Sequence, residues 1–179
     1  MTPESPAQPW YRTLTREHWF VFTIASLAWL FDCLDQQLFI LARDNAIRAL
    51  SPAGTDALVL TKLSGWAQSV FVAGWAVGGL IFGSVGDRVG RARTLSITVL
   101  IYSLCTGLSA FAQDVTQFMI FRALTGLGVG GVFGLAVALV ADSLPDAARP
   151  KALGMLQALS AVGNVTAGLC AMQIGRAHV

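Results

Sequence analysis

The chain has 179 residues, of which 55% are hydrophobic and 12% charged, with a formal net charge of +2. An average soluble domain carries about twice that share of charged residues, so the composition is that of a membrane protein, and no basic tract of the nucleic-acid-binding kind is present. Three cysteines (Cys33, Cys105, Cys170) are far apart, odd in number and without a CxxC pair. They imply packing rather than disulfides or zinc, and no metal or cofactor is expected.

A membrane-crossing helix needs about 20 mostly apolar residues. After an N-terminal segment (1–18), a bundle is expected over 19–173, with spans at about 19–41, 63–85, 94–112, 118–141 and 152–172. The first apolar run is too long for a signal peptide and ends in no small-x-small site, so it reads as a span. Residues 42–62 read as a longer loop, and GDRVGRAR (86–93) as a tight basic turn. Gly126, Gly130 and Gly134 recur every fourth residue in span four, and Gly74, Gly78, Gly79 and Gly83 crowd span two. Such small-residue faces let helix backbones approach closely in lipid. Trp19, Trp29, Trp66 and Trp75 read as interface anchors or cavity walls.

Lys and Arg near the span ends set orientation. Arg12, Arg16, Arg88, Arg91, Arg93, Arg149 and Lys151 lie on one side, against Arg43, Arg48 and Lys62 on the other. The excess places the N-terminus in the cytoplasm. The last six residues, IGRAHV (174–179), read as the in-frame translation of a sequencing-library adapter. They are expected to be artefactual, with the natural protein continuing past about Gln173, which removes His178 as a ligand candidate.

Inside the first span, FDCLDQQLF (31–39) carries Asp32, Asp35 and Gln36 on one helix face. A lone charged side chain at mid-bilayer costs roughly 2.5–3.5 kcal/mol on insertion scales, so these groups are expected to face a bundle interior or a wet cavity. Asp32 lies about 20 Å along the helix from Trp19, in the outer half of a core about 30 Å thick. Arg122 in span four lies roughly 6–8 Å below the outer boundary by the same rise. An acid–base cluster of Asp32, Asp35 and Arg122 is therefore expected if spans one and four are neighbours. A poorly solvated carboxylate tends to keep its proton, and a nearby guanidinium opposes that. Such a balance suits a proton relay; a static ion pair is the plainer alternative for Arg122.

GSVGDRVGRAR (83–93) resembles the signature GxLaDrxGrr of the major facilitator superfamily, found between that family's second and third helices. Gly83, Asp87, Arg88, Gly90 and Arg91 match it, with Val85 in place of Leu and Ala92 in place of a basic residue. FRALTGLGVGG resembles the family's RxxxGxG pattern through Arg122, Gly126 and Gly128. Asp142 and Arg149 resemble an acidic residue followed by Arg seven positions on, a pair that contacts the basic loop in the sugar-porter branch. DCLD is similar to the DGxD element of proton symporters for aromatic acids, with Cys33 where the element has Gly. The segment LSAVGNVTAGLCA lacks the GP-containing signature of drug-efflux members.

The resemblance implies an all-α polytopic bundle, with five helices of the six-helix N-terminal half of a twelve-helix transporter. It implies a multi-pass protein of the bacterial inner membrane that symports protons with a sugar, carboxylate or aromatic acid by alternating access. Asp32, Asp35, Gln36 and Arg122 would handle protons or solute. Gly83, Asp87, Arg88, Gly90, Arg91, Asp142 and Arg149 would form a conformational latch. The expected partners are the solute, protons, the lipid bilayer and the missing C-terminal half. Two alternatives stand beside this reading. One is that five helices alone form a non-functional fragment. The other is an intramembrane aspartyl enzyme, which needs aspartates on two facing helices, whereas Asp32 and Asp35 share one.

Overall fold

A computed structural model describes residue 11 and residues 14–177, with side chains through residue 169. Arg12 and His178 lie outside the described residues, as do residue 179 of the tail and the side chains of the rest of it. The structure consists of α1 (Arg16–Leu50), α2 (Ala57–Val89), α3 (Arg91–Ser109), α4 (Val115–Ser143) and α5 (Arg149–Ala177). All five are long and apolar enough to cross a membrane. At 1.5 Å per residue, α1 and α2 exceed a hydrocarbon core of about 30 Å, whereas α3 barely spans it.

The helix ends follow from local chemistry. Thr15 caps α1: its hydroxyl oxygen accepts from the His18 amide at 3.4 Å, and His18 Nδ1 accepts from the Thr15 amide at 3.2 Å, a reciprocal pair that satisfies two otherwise orphaned donors. Asp56 and Asp114 cap α2 and α4 by accepting from the amides of Leu58 and Gln117. The expected loop over 42–62 shrinks to residues 51–56. The stretch ARDNAIRAL contains no Gly or Pro and therefore continues α1, and Ile47 is fully buried against Phe39, Ala67 and Phe118. The helix stops only at Ser51, whose hydroxyl donates to the Ile47 carbonyl at 2.7 Å, just before Pro52 disfavours another turn.

The basic turn is also shorter than expected. α2 runs to Val89 and α3 begins at Arg91, so Gly90 alone joins them, with φ +107° and ψ 132°. Side chains rarely adopt that backbone conformation, and glycine does so freely.

Cross-helix contacts fix an antiparallel order. The start of α1 (Phe22, Ala25, Trp29), the end of α4 (Ala136, Val140) and the start of α5 (Ala152, Leu156) share one apolar cluster. Phe39 near the far end of α1 meets Phe118 at the start of α4. α4 is the central helix, with α2, α3 and α1 packed around it. A Cβ placed on Gly74 or Gly78 of α2 would run into the backbone carbonyls of Ala123 and Leu127. One placed on Gly126 or Gly130 of α4 would strike those of Phe71 and Trp75. The two backbones thus touch through four glycines. Gly83 and Gly134 are different, because a Cβ at either meets nothing within 4 Å.

Candidate functional site

Asp32, near the midpoint of α1, has 0% exposure. One of its oxygens, Oδ2, accepts from Gln36 Nε2 at 3.3 Å, and Oδ1 has no hydrogen-bond partner among the described residues. The bond joins residues four apart, which a helix stacks on one face. Asp35, one turn on, is half-buried, and its Oδ2 is likewise without a partner. Burying polar groups without partners is costly, so this stretch is not there to stabilise the fold.

Arg122 extends from α4 and is 6% exposed. Its Nε and Nη1 have no hydrogen-bond partner among the described residues. The guanidinium carbon lies 3.7 Å from the Phe39 ring centroid and 5.7 Å from that of Phe118. Among the described residues Arg122 forms no ion pair. It stands level with Phe39, about 6 Å beyond Asp35 along α1 at the usual helical rise. The expected cluster therefore resolves into two levels. Asp35 and Arg122 line one cavity of about 400 Å³ with Arg43, Thr106 and Ser109, while Asp32 lies deeper and, among the described residues, its side chain is bonded only to Gln36.

Two further cavities flank α1. A volume of about 870 Å³ between α1 and α3 is walled by apolar side chains such as Phe20, Ile24 and Phe31, and Asp35 and Thr106 also border it. A volume of about 330 Å³ opens between α1, α2 and α5, lined by Gln36, Gln37, Gln68, Trp75, Ser160 and Asn164. There Gln37 Nε2 donates to Asn164 Oδ1 at 3.2 Å, joining α1 to α5, and the buried Gln68 Oε1 has no partner. Trp29 also borders this space, whereas Trp66 is 63% exposed. The sequence reading met Gln37 only as part of FDCLDQQLF, without a role, and missed Gln68 and Asn164. Their signal was available, since a carboxamide inside an apolar span needs a partner as an acid does. Cys33 is buried against Gly163, and Cys105 is half-buried, both as free thiols. Among the described residues no group of three or more His, Cys, Asp or Glu side chains is gathered as a metal ion requires.

At the α2–α3 end, Arg91 bridges two acids. Its guanidinium lies 3.4 Å from Asp87 and 3.0 Å from Asp142 of α4. The structure thus joins Asp87, Arg91 and Asp142 beside the Gly90 joint. Arg88 is exposed and outside this group, and Gly83 is a turn away with open space around it. Arg149 turns elsewhere: it pairs with Asp146 at 2.7 Å and donates to the Leu144 carbonyl at 3.0 Å. Asp146, three residues earlier, supplies the partner that the basic turn was expected to supply.

A bundle of apolar helices, with a buried carboxylate at mid-helix and a glycine-jointed charge cluster at one end, defines a multi-pass integral membrane protein. Residues 20–178 match the Major Facilitator Superfamily, and the chain belongs to that family. It is 33% identical over 154 residues to a niacin transporter of Acinetobacter baylyi, covering 85% of this chain and 33% of that protein. It is 30% identical over 161 residues to a benzoate transport protein of the same organism, covering 86% and 33%. A cis,cis-muconate transport protein, also of Acinetobacter baylyi, is 33% identical over 150 residues, covering 84% and 35%. The chain thus spans about a third of the length of these relatives. Their names are those of transporters, not enzymes.

Proposed function

We propose that this chain is the N-terminal part of a secondary transporter that carries a small organic acid together with protons. The observation that carries the reading is Asp32, a carboxylate with no exposed surface, one oxygen unpartnered, at the middle of an apolar helix. Burying an unpaired charge is expensive, and taking up a proton removes that expense. A site that gains and loses a proton within the membrane is what coupling to a proton gradient requires. Asp35 and Arg122, facing one cavity, extend the relay toward the α1–α2 end.

The solute class draws its support from the relatives named for niacin, benzoate and muconate transport. The chain's share of their length supports a complementary half beyond it, against which these helices rock in alternating access. The excess of Lys and Arg at the α2–α3 end supports a cytoplasmic N-terminus in a bacterial inner membrane. In this reading the Asp87–Arg91–Asp142 group latches one of the two conformations.

The test is uptake of benzoate and nicotinate by the complete transporter in proteoliposomes, with and without an inward proton gradient. Gradient-driven uptake is expected, and Asp32→Asn should abolish it while leaving exchange of solute for solute. Unchanged driven uptake by Asp32→Asn would remove Asp32 from the mechanism. Reading the gene past the codon for Gln173 decides whether a further helix follows in frame.

A further inference from the structure

Gln36 occupies two sites at once. Its side chain lines the cavity between α1, α2 and α5, and its Nε2 donates to Asp32 at 3.3 Å. Asp32 itself does not border that cavity. The amide is thus the contact between the buried acid and the carboxamide-lined space.

That space offers a small planar anion an uncharged, hydrogen-bonding seat, unlike the α1–α4 cavity, where Arg43 and Arg122 stand beside Asp35. Gln36, Gln37, Gln68 and Asn164 offer amide donors, Trp29 and Trp75 offer ring faces, and no acid among the described residues borders it. The larger α1–α3 cavity is mostly apolar, and its one acid, Asp35, would repel an anion. The groups around Asp32 are few. On α1 they are Asp35 and Cys33. From α3, Tyr102 lies within electrostatic reach of both aspartates. From α4, Arg122 faces Asp35 across their shared cavity. The neighbouring cavity-lining residues of α2 and α5 contribute uncharged amides and a hydroxyl.

A primary amide has a donor end and an acceptor end, and one χ3 rotation exchanges them. We infer that the solute's carboxylate binds in the α1/α2/α5 cavity and that Gln36 makes this binding depend on the proton on Asp32. With Asp32 ionised, Gln36 Nε2 is held by Asp32 and its carbonyl end is left for the cavity, where it opposes an anion. When Asp32 takes up one proton, its O–H donates to Gln36 Oε1. The rotated amide then presents Nε2 to the solute carboxylate. One proton and one anion enter together, and no covalent bond other than the carboxyl O–H forms. The inference rests on the proton-coupled reading above and assigns its coupling step.

The experiment measures benzoate and nicotinate binding to the complete transporter in detergent, from mildly acidic to mildly alkaline pH, where both probes remain anions. In the parent protein, affinity should fall with rising pH, by up to about tenfold per pH unit where Asp32 releases its proton. Gln36→Met should lose roughly ten- to a hundredfold of affinity at the acidic end, the worth of a hydrogen bond to a charged group, and its pH dependence should flatten. Asp32→Asn, whose amide can donate to Gln36 as the protonated acid does, should bind at the acidic-limit affinity at every pH. If Gln36→Met keeps the parent's full pH dependence, Asp32 acts through its field alone and the inference fails while the transport reading stands. If the parent shows no pH dependence, or binds neither probe, the transport reading fails and the inference with it. Should Gln36→Met not fold, Asp32→Asn decides: weak binding at every pH overturns the inference.

Discussion

The guanidinium of Arg122 stacks on the ring of Phe39 at 3.7 Å, and it lies within ion-pair distance of neither Asp32 nor Asp35. A buried cation held by an aromatic face, with Asp35 across a shared cavity rather than in contact, is not locked into an ion pair. Desolvated contacts of this kind are worth about 2 kcal/mol, against 0.5–1 kcal/mol where exposed. Arg122→Lys retains the charge and loses the flat stacking surface. It should lower stability by about 1 kcal/mol, and a double-mutant cycle with Phe39→Leu should return a coupling of that order in denaturant-dependent unfolding. Zero coupling would mean that the ring merely occupies space.

Asp32→Asn should fold at least as well as the parent. The asparagine fills the same volume and can keep a hydrogen bond with Gln36, and it removes a buried group that is charged when ionised. Replacing buried charge by a neutral isostere is often neutral or stabilising. An unchanged or higher unfolding temperature is expected, together with lost proton-driven uptake. A sharply lower temperature would mean that the carboxylate is structural.

The glycines of α4 should separate by position. Gly130→Leu drives a side chain into the Trp75 carbonyl of α2 and should cost about 1–3 kcal/mol or more, read as loss of monodisperse protein in detergent. Gly134 is exposed and a Cβ added there meets nothing within 4 Å, so Gly134→Leu should stay within about 0.5 kcal/mol of the parent. Equal damage at both sites would contradict the packing described.

The Arg91–Asp142 pair, 3.0 Å apart, leaves 28% of the arginine and 59% of the aspartate side chain exposed. Exposed pairs are worth about 0.2–1 kcal/mol. A double-mutant cycle with Arg91→Ala and Asp142→Ala should give a coupling in that range that shrinks as salt rises. If the pair latches one conformation as proposed, a coupling of this size would bias the equilibrium several-fold without locking it, and transport rates of both variants should shift in step.

The span count and the five apolar helices could be read from residue order alone, because length and composition carry that information, whereas the glycine spacing in spans two and four marked close helix approach without saying which helices meet. Gly134 could not be told from Gly130, since spacing does not reveal which side of α4 faces its neighbour. Residues 42–50 looked like loop because they are polar, yet a chain without Gly or Pro continues its helix when one apolar residue, here Ile47, finds a buried seat. Reasoning from depth brought Arg122 to the level of α1 but not to its partner. Helical rise gives height and no azimuth, so the choice between Asp35 and Phe39 needed the packed structure. The amides Gln37, Gln68 and Asn164 belong to three helices, and nothing local ties them together.

The single-residue joint at Gly90 has a mechanical consequence. Six residues separate α1 from α2 and can take up slack, whereas one residue between α2 and α3 leaves none. Displacement of α2 along its axis is passed to α3, like two rods sharing one pin. Inserting even one residue beside Gly90 would add slack to this joint and let the two helices shift independently.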